Sequence, residues 1–155
     1  MPVPTSEQMR AYATIHERIV AALAELTPEQ MQMFPLPGEW SIHQIILHLA
    51  DSEVVGYERI RRVIAEERPP LLAYDEEAWT RNLQYHQQDP TLALDLFRLL
   101  RQASAALLSQ LPADRWQRIG LHSENGEISL SALFLTYANH GEAHLRQIEH
   151  VKKHL

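Results

Sequence analysis

Histidine is the residue type whose number and spacing point to chemistry in this chain, which has nine histidines among 155 residues. Two of them, His140 and His144, stand in the sequence His-Gly-Glu-Ala-His. Residues four apart lie one turn above each other on the same face of an α-helix, so these two imidazoles could converge on one metal ion. Taken alone, such a pair could equally be surface histidines or hydrogen-bonded core histidines.

Apolar neighbours place this pair near the core side of its helix; they are Leu133, Tyr137, Ala143 and Ile148. Two neutral imidazoles packed against a core need hydrogen-bond partners, and a metal ion satisfies both rings at once. Gly141 lies between them and lowers helix stability. Its missing side chain could permit the close approach of another helix or of a ligand.

The third candidate ligand is His48, which lies in the middle of an apolar stretch at 46–50. Its alternative role is that of a core histidine hydrogen-bonded to a backbone or side-chain group. Asp51 and Ser52 lie one turn further along the same face, where either could orient a ligand, contact substrate or act as a base on water. We take Asp51 as the candidate catalytic residue, with an interhelical hydrogen bond as its equal alternative.

Two nearby residues fit this site less well. Glu142 projects about 200° around the helix from His140, and the pattern is not that of a zinc protease, whose glutamate directly follows the first histidine. His43 is about 140° from His48 on the same helix and should point elsewhere.

The other histidines have simpler explanations. His150 and His154 lie in a charged helix terminus, where interaction with the helix dipole accounts for them. His16 is expected on a helix surface. His86 and His122 lie in connections, where they could border a pocket.

The composition narrows the chemistry further. The absence of cysteine excludes disulfides, a cysteine nucleophile and thiolate ligands, so a metal site must use imidazole and carboxylate. A net charge of −6 argues against nucleic-acid binding, which needs a basic surface. The sequence has no apolar run long enough for a membrane span and no secretory signal at its N-terminus. We therefore expect a cytoplasmic protein that binds neither membrane nor nucleic acid.

Helical periodicity dominates the chain and places the candidate histidines on two of four long helices. These helices are predicted from about 5 to 26, from Ser41 to about 67, from Asp89 to Pro112, and from Ser129 to about 153. Short helical turns are expected after Thr27 and Asp75. Asn125-Gly126 between two short alternating segments predicts a hairpin within 113–128.

Each long helix carries an apolar stripe at helical spacing. On the third helix the series is Leu92, Leu96, Leu99, Leu100, Ala103, Leu107 and Leu111. A four-helix bundle is the natural way to bury four such stripes. We therefore predict an all-α protein with a single domain over residues 1–155.

Two segments resemble the DinB/YfiT-like superfamily. Residues 40–53, Trp-Ser-Ile-His-Gln-Ile-Ile-Leu-His-Leu-Ala-Asp-Ser-Glu, are similar to its second-helix signature, a Trp-Ser opening followed by His-Leu-x-Asp/Glu. Residues 137–148 are similar to its closing helix, with His-x-x-x-His followed by Gln-Ile. Their order and separation also agree, and the resemblance spans nearly the whole chain.

The resemblance implies a four-helix bundle, often dimeric, that holds one divalent metal ion, zinc or nickel, with His48, His140 and His144. Characterised members include low-molecular-weight thiol S-transferases and mycothiol-dependent isomerases, and many relatives are described as metal-dependent hydrolases. From the resemblance we therefore expect a small-molecule substrate, a homodimer and, for a transferase, a low-molecular-weight thiol as cofactor.

Three neutral imidazoles leave at least one coordination position open, which is the catalytic rather than the structural arrangement of zinc. An open site can acidify a bound water, giving hydrolysis, or activate a substrate thiolate, giving S-transfer. The residues support both reactions equally, and the resemblance favours S-transfer. A third hypothesis is a non-enzymatic, stress-related bundle, in which a metal only locks the helices or the histidines are buried without one.

Overall fold

Four long helices form the body of the protein in the computed structural model, which describes residues 2–155. The helices are α1 (Ser6–Leu23), the short α2 (Pro28–Gln32), α3 (Ile42–Ala65), the short α4 (Glu76–Asn82), α5 (Pro90–Leu108) and α6 (Leu130–Lys152). Single 3₁₀ turns lie at Tyr85–Gln87 and Ala113–Gln117. The predicted all-α class is confirmed, with a small sheet added in the connections.

Side-chain caps explain where these helices begin. Capping boxes open α1, α2 and α3 through the pairs Thr5 with Gln8, Thr27 with Gln30, and Ser41 with Gln44. In each box the hydroxyl accepts a backbone N–H of the first turn while the glutamine accepts the cap's own N–H. The predicted starts are confirmed, and the ends differ by only a few residues because helix termini fray.

The sheet joins two connections. Strands β2 (Ile119–His122) and β3 (Gly126–Ser129) form the predicted antiparallel hairpin, and Gly126 has the positive φ of 72° that its turn requires. The unpredicted strand β1 (Pro70–Leu71) pairs in parallel with β2. This pairing fastens the connection after α3 to the hairpin before α6.

The helices surround two clusters of buried apolar residues. Helices α1 and α3 each pack mainly against α5 and α6, so α1 and α3 lie diagonally across the bundle. One cluster includes Ile19, Ile45, Phe97 and Ile148; the other includes Ile60, Leu108, Trp116 and Phe134. Among residues 2–155, none of the helices combines the length and apolar character that crossing a membrane requires.

The apolar series predicted for the third long helix is wrong as a core face. Leu92, Leu96 and Leu99 are 68%, 41% and 54% exposed. The face of α5 that is buried consists of Ala93, Phe97, Arg101, Ser104 and Leu108. Arg101 takes a core position because a carboxylate from another helix meets it there.

That carboxylate is Glu53 on α3, and the two residues form what we call the buried ion pair. Arg101 Nε donates to Glu53 Oε2 at 2.7 Å, and neither side chain is more than 1% exposed. Tyr12 Oη donates to Glu53 Oε1 at 2.8 Å, while Arg101 also donates to the backbone oxygens of Tyr12 and Tyr137. The pair therefore links α1, α3, α5 and α6.

Gly141 lets these helices approach. A Cβ there would lie 3.2 Å from Cγ1 of Ile15 on α1 and 3.4 Å from Nη2 of Arg101 on α5. The expected close approach is thus made by neighbouring helices.

Candidate metal centre

Helices α3 and α6 bring the three predicted histidines together. Nε2 of His140 lies 3.0 Å from Nε2 of His48 and 3.0 Å from Nε2 of His144. One ring nitrogen from each residue lies within 4.8 Å of the other two. We call this group the histidine cluster; it joins an i,i+4 pair on α6 to one residue in the middle of α3.

Packing holds the rings in place. His48 is 1% exposed, and the ring of Trp40 lies against its edge with 4.9 Å between ring centroids. On the other side, the ring of Tyr137 lies 6.5 Å from that of His140. Aromatic neighbours therefore pack on two of the three imidazoles, and His48 is closed to water, whereas His140 is half-buried.

All three imidazoles are neutral at pH 7. Burial, with a smaller contribution from the neighbouring histidines, lowers the pKa of His48 to about 3 and that of His140 to about 2. Burial also lowers the pKa of His144, and its hydrogen bond to Gln147 opposes part of that decrease. Each ring therefore has one nitrogen with a free lone pair.

In His144, a hydrogen bond shows which ring nitrogen carries the free lone pair. Its Nδ1–H donates to Oε1 of Gln147 at 2.7 Å, which leaves the lone pair on Nε2. Nε2 of His140 faces both other Nε2 atoms, and one proton there can be donated to only one of them. A cation at the meeting point accepts all three lone pairs, so this donor set fits a divalent metal ion.

Within residues 2–155, Nδ1 of His48 is buried without a hydrogen-bond partner. Metal-ligating histidines usually donate this second N–H to a carboxylate, carbonyl or water. His48 is thus oriented by packing against Trp40, whereas His144 is oriented by Gln147.

Asp51 lies away from the cluster. Its Oδ2 accepts a hydrogen bond from Tyr85 Oη at 2.6 Å, and it lines a small cavity beside Leu92 and Leu96 of α5. Its catalytic role stays a prediction; the alternative given above was an interhelical hydrogen bond, and the observed partner lies in the 3₁₀ turn Tyr85–Gln87 of a connection. His43, as predicted, also points away from His48 and donates from Nε2 to the backbone oxygens of Tyr85 and Gln88.

A cleft of about 400 Å³ opens beside His144. Its other lining residues are Gly38, Glu39, Trp40, Glu76, Glu77, Gln147 and His150. Burial, and then the charge of Glu77, raises the pKa of the Glu76 carboxyl. The cleft therefore places carboxylates next to the histidine cluster, although no aspartate or glutamate joins the cluster itself within residues 2–155.

The sequence did not predict which residues surround the histidine cluster: Gln147, Trp40, Glu76 and Glu77. Gln147 could have been found, because it is three residues from His144 and neighbours it on the helix surface. Trp40 lies just before α3 and packs on a candidate ligand, a contact that its place in the Trp-Ser opening does not predict. Glu76 and Glu77 come from a connection whose path no local spacing predicts.

The remaining residues singled out from the sequence lie outside the cluster. Glu142 forms an ion pair with Arg18 on α1, in keeping with its predicted direction. His122 accepts backbone N–H groups of the hairpin turn through Nδ1, and His86 is exposed. His150 borders the cleft and lies 3.2 Å from a carboxylate oxygen of Glu39.

Comparison with known proteins identifies a family that the chain matches. The family model of the DinB superfamily matches residues 11–148. A protein of Oceanobacillus iheyensis with the name "putative metal-dependent hydrolase" is 34% identical over 124 residues, which are 80% of this chain and 72% of that protein. The similarly named YfiT of Bacillus subtilis is 28% identical over 152 residues, covering 93% of this chain and 85% of YfiT.

Solved structures agree on the fold. The structure of Bacillus subtilis YfiT, described as "a probable metal-dependent hydrolase with an unusual four-helix bundle topology", superposes with a TM-score of 0.89 at 26% identity, covering 95% of this chain and 85% of YfiT. A mycothiol-dependent maleylpyruvate isomerase superposes with a TM-score of 0.71 at 14% identity, covering 94% of this chain and 60% of the isomerase. The second likeness concerns the fold alone.

Proposed function

The chain belongs to the DinB superfamily, and on that premise we propose that it is a metal-dependent enzyme that hydrolyses a small-molecule substrate. The observation that carries the proposal is the convergence of the Nε2 atoms of three neutral histidines, one of which, His144, lines a cleft. The names of relatives at 28% and 34% identity support hydrolysis. Zinc and nickel are the ions proposed for the site.

His48, His140 and His144 would hold the ion. When bound, such an ion supplies a Lewis acid that lowers the pKa of a water or thiol in its open coordination position. Gln147 keeps the proton of His144 on Nδ1, so that Nε2 remains a donor. Trp40 and Tyr137 restrict water to the cleft side.

Glu76 is the residue of this chain proposed to accept the proton of the attacking water. It lines the same cleft as His144, and its raised pKa brings the carboxylate closer to the pH at which a base works best. A Glu76→Gln variant should keep its metal content and lose about 100-fold in kcat. Unchanged kcat would remove Glu76 from this role.

Thiol S-transfer is the second proposed activity. Three neutral ligands leave the full charge of the ion available, which stabilises a thiolate as well as a hydroxide. The thiol would have to come from a low-molecular-weight cofactor, because the chain has no cysteine. A substrate panel assayed with and without added thiol separates the two activities.

The first test is metal content of the purified, untagged protein by elemental mass spectrometry. We expect about one metal ion per chain, lost in His48→Ala and His140→Ala and retained in His86→Ala, which removes an exposed histidine outside the cluster. Absence of bound metal after incubation with zinc or nickel would refute the metalloenzyme proposal and leave a non-enzymatic bundle. The homodimer and the cytoplasmic location stay predictions; sedimentation analysis tests the first.

A further inference from the structure

A second cavity adjoins the cleft, and we call it the apolar groove. It has a volume of about 570 Å³ and lies between the loop 34–40, α3 and α4. The apolar residues of its wall are Phe34, Pro35, Leu36, Pro37 and Trp40. Groove and cleft share Gly38, Glu39, Trp40 and Glu77. The two cavities therefore form one depression that runs from Phe34 to His144.

The groove displays apolar surface to solvent. Phe34 is 62% exposed and Leu36 is 44% exposed, two residues apart in one short loop. Two prolines, Pro35 and Pro37, restrict the backbone there, so the wall loses little entropy when a ligand covers it. Covering such surface with an apolar group is favourable.

Trp40 connects this wall to the histidine cluster. Its ring contacts the ring of His48, and its Nε1–H donates to Oε1 of Glu77 at 3.1 Å. The wall formed by residues 34–37 and Trp40 is thus apolar from Phe34 as far as the Trp40 indole, which contacts the histidine cluster.

Three carboxylates, those of Glu39, Glu76 and Glu77, line the cleft beside His144. His150 lies 3.2 Å from Glu39, and Arg81 lines the groove. Within residues 2–155 the Glu76 carboxylate makes no hydrogen bond or ion pair with the protein. In the metal-free protein, the carboxylates at this end of the depression would attract a cationic group and repel an anionic one.

We propose that the depression binds a small amphiphilic amine, with its aryl or alkyl body in the apolar groove and its cationic end among the cleft carboxylates beside His144. That this amine is the substrate rests on the proposed function; a bound metal ion would repel the cationic end from the three histidine nitrogens, so that end lies at the carboxylates. The occupant is a small molecule because the depression ends at the histidine cluster, where a reacting group of limited size must fit.

The test compares three probes by calorimetric titration: 3-phenylpropylamine, 3-phenylpropionate and propylamine. The first two share an aryl body and differ in charge, and the third keeps the charge without the aryl group. The protein is used as isolated and again after chelator treatment, because a carboxylate can also bind a metal ion directly. In the chelator-treated protein, differences in probe affinity come from the groove and the cleft and not from a bound metal ion.

We expect 3-phenylpropylamine to bind the chelated protein about tenfold more tightly than either other probe. Leu36→Ser should remove the advantage over propylamine, and Glu76→Gln should reduce the advantage over 3-phenylpropionate. The matched controls are Leu92→Ser, an exposed leucine on α5, and Glu25→Gln, an exposed glutamate on the segment after α1. Both controls should bind like the unmodified protein.

Equal binding of the amine and the carboxylate, or an amine affinity that Leu36→Ser leaves unchanged, would overturn the inference. Metal content is measured on the same preparations. A chain that binds no metal refutes the proposed function without changing these affinities, so the two failures are distinguishable.

Discussion

Two buried polar groups lie next to each other in this bundle, and they differ in whether the protein itself supplies their hydrogen-bonding and charge partners. The histidine cluster and the buried ion pair both use α3 and α6, and His48 and Glu53 are only five residues apart. Glu53 and Arg101 find all their partners inside the protein. The histidines instead direct three lone pairs at one point.

The difference shows how a structural polar group can be told from a binding site. Burying a charge is tolerable when the protein itself supplies the opposite charge and the hydrogen bonds, as it does for Arg101. A group of neutral acceptors that face one another has no such internal solution, and it fits a cation from outside. The buried ion pair therefore belongs to the fold, whereas we propose the histidine cluster as the functional site.

Removing one member of the ion pair should have the largest effect on stability. Glu53→Ala leaves the Arg101 guanidinium buried without its carboxylate, and we expect the free energy of unfolding to fall by about 3–5 kcal/mol. Urea denaturation measures it. The control is Glu58→Ala, which removes an exposed partner of Arg62 on the same helix and should cost less than about 1 kcal/mol. Similar losses in both variants would contradict the assigned structural role.

Acid should destabilise the metal-free protein through the histidine cluster. The folded pKa of His48 is about 3 and that of His140 about 2, whereas the unfolded chain takes up these protons near pH 6.5. Stability is therefore fully present above pH 6.5 and declines as pH falls toward 3. We expect a loss on the order of 2 kcal/mol for each of the two imidazoles between pH 7 and pH 5.

Chemical denaturation at several pH values tests this dependence. His48→Gln and His140→Gln should each flatten it, while His86→Gln, which changes an exposed histidine, should not. A metal-free protein whose stability is the same at pH 7 and pH 5 would argue against buried, neutral imidazoles.

Tyr137 links the two regions, so Gly56→Ala tests whether they are coupled. A Cβ at Gly56 would lie 2.5 Å from Cε1 of Tyr137, whose backbone oxygen accepts from Arg101 and whose ring neighbours His140. We expect a loss of about 2 kcal/mol by thermal or urea unfolding, together with weaker metal binding. Gly141→Ala, with a closest contact of 3.2 Å, should cost less. The reverse order would show that α1 and α5 cannot yield at Gly141.

The smallest expected effect comes from Gln147, whose side chain orients a cluster imidazole by a hydrogen bond. Gln147→Leu removes the acceptor of the His144 Nδ1–H, and we expect metal affinity to fall about tenfold with little change in unfolding free energy. Competition with a chromogenic chelator measures the affinity. Gln102→Leu, an exposed change on α5, is the control. An unchanged affinity would mean that packing alone orients His144.

Local spacing explains why the helices and the histidine cluster could be predicted. The caps at Thr5 and Ser41 act within four residues, and His140 and His144 meet on one turn of helix. His48 is a candidate from its apolar surroundings, but only the resemblance joins it to His140 and His144, because these partners are 92 residues or more away along the chain.

The features that the sequence did not predict depend on contacts between residues far apart along the chain. The buried face of α5 depends on Arg101 meeting Glu53, a contact between residues 48 apart that periodicity does not contain. The leucine-rich face and the observed core face of α5 differ by a rotation of about 100°, which is one residue. The ion pair of Arg101 with Glu53 therefore determines which of the two faces is buried. The parallel pairing of β1 with β2, and the arrival of Glu76 at the cleft, likewise depend on tertiary contacts.

The segment that supplies Glu76 and Glu77 is held at both ends by side chains of α3. Before it, Arg59 donates to the backbone oxygen of Leu72; after it, His43 donates to the backbone oxygens of Tyr85 and Gln88. With both ends anchored to one helix, residues 73–84 keep a fixed position relative to α3, which also carries His48. One wall of the cleft is therefore tied to the helix of a candidate ligand, so that a shift of α3 would move the carboxylates and His48 together.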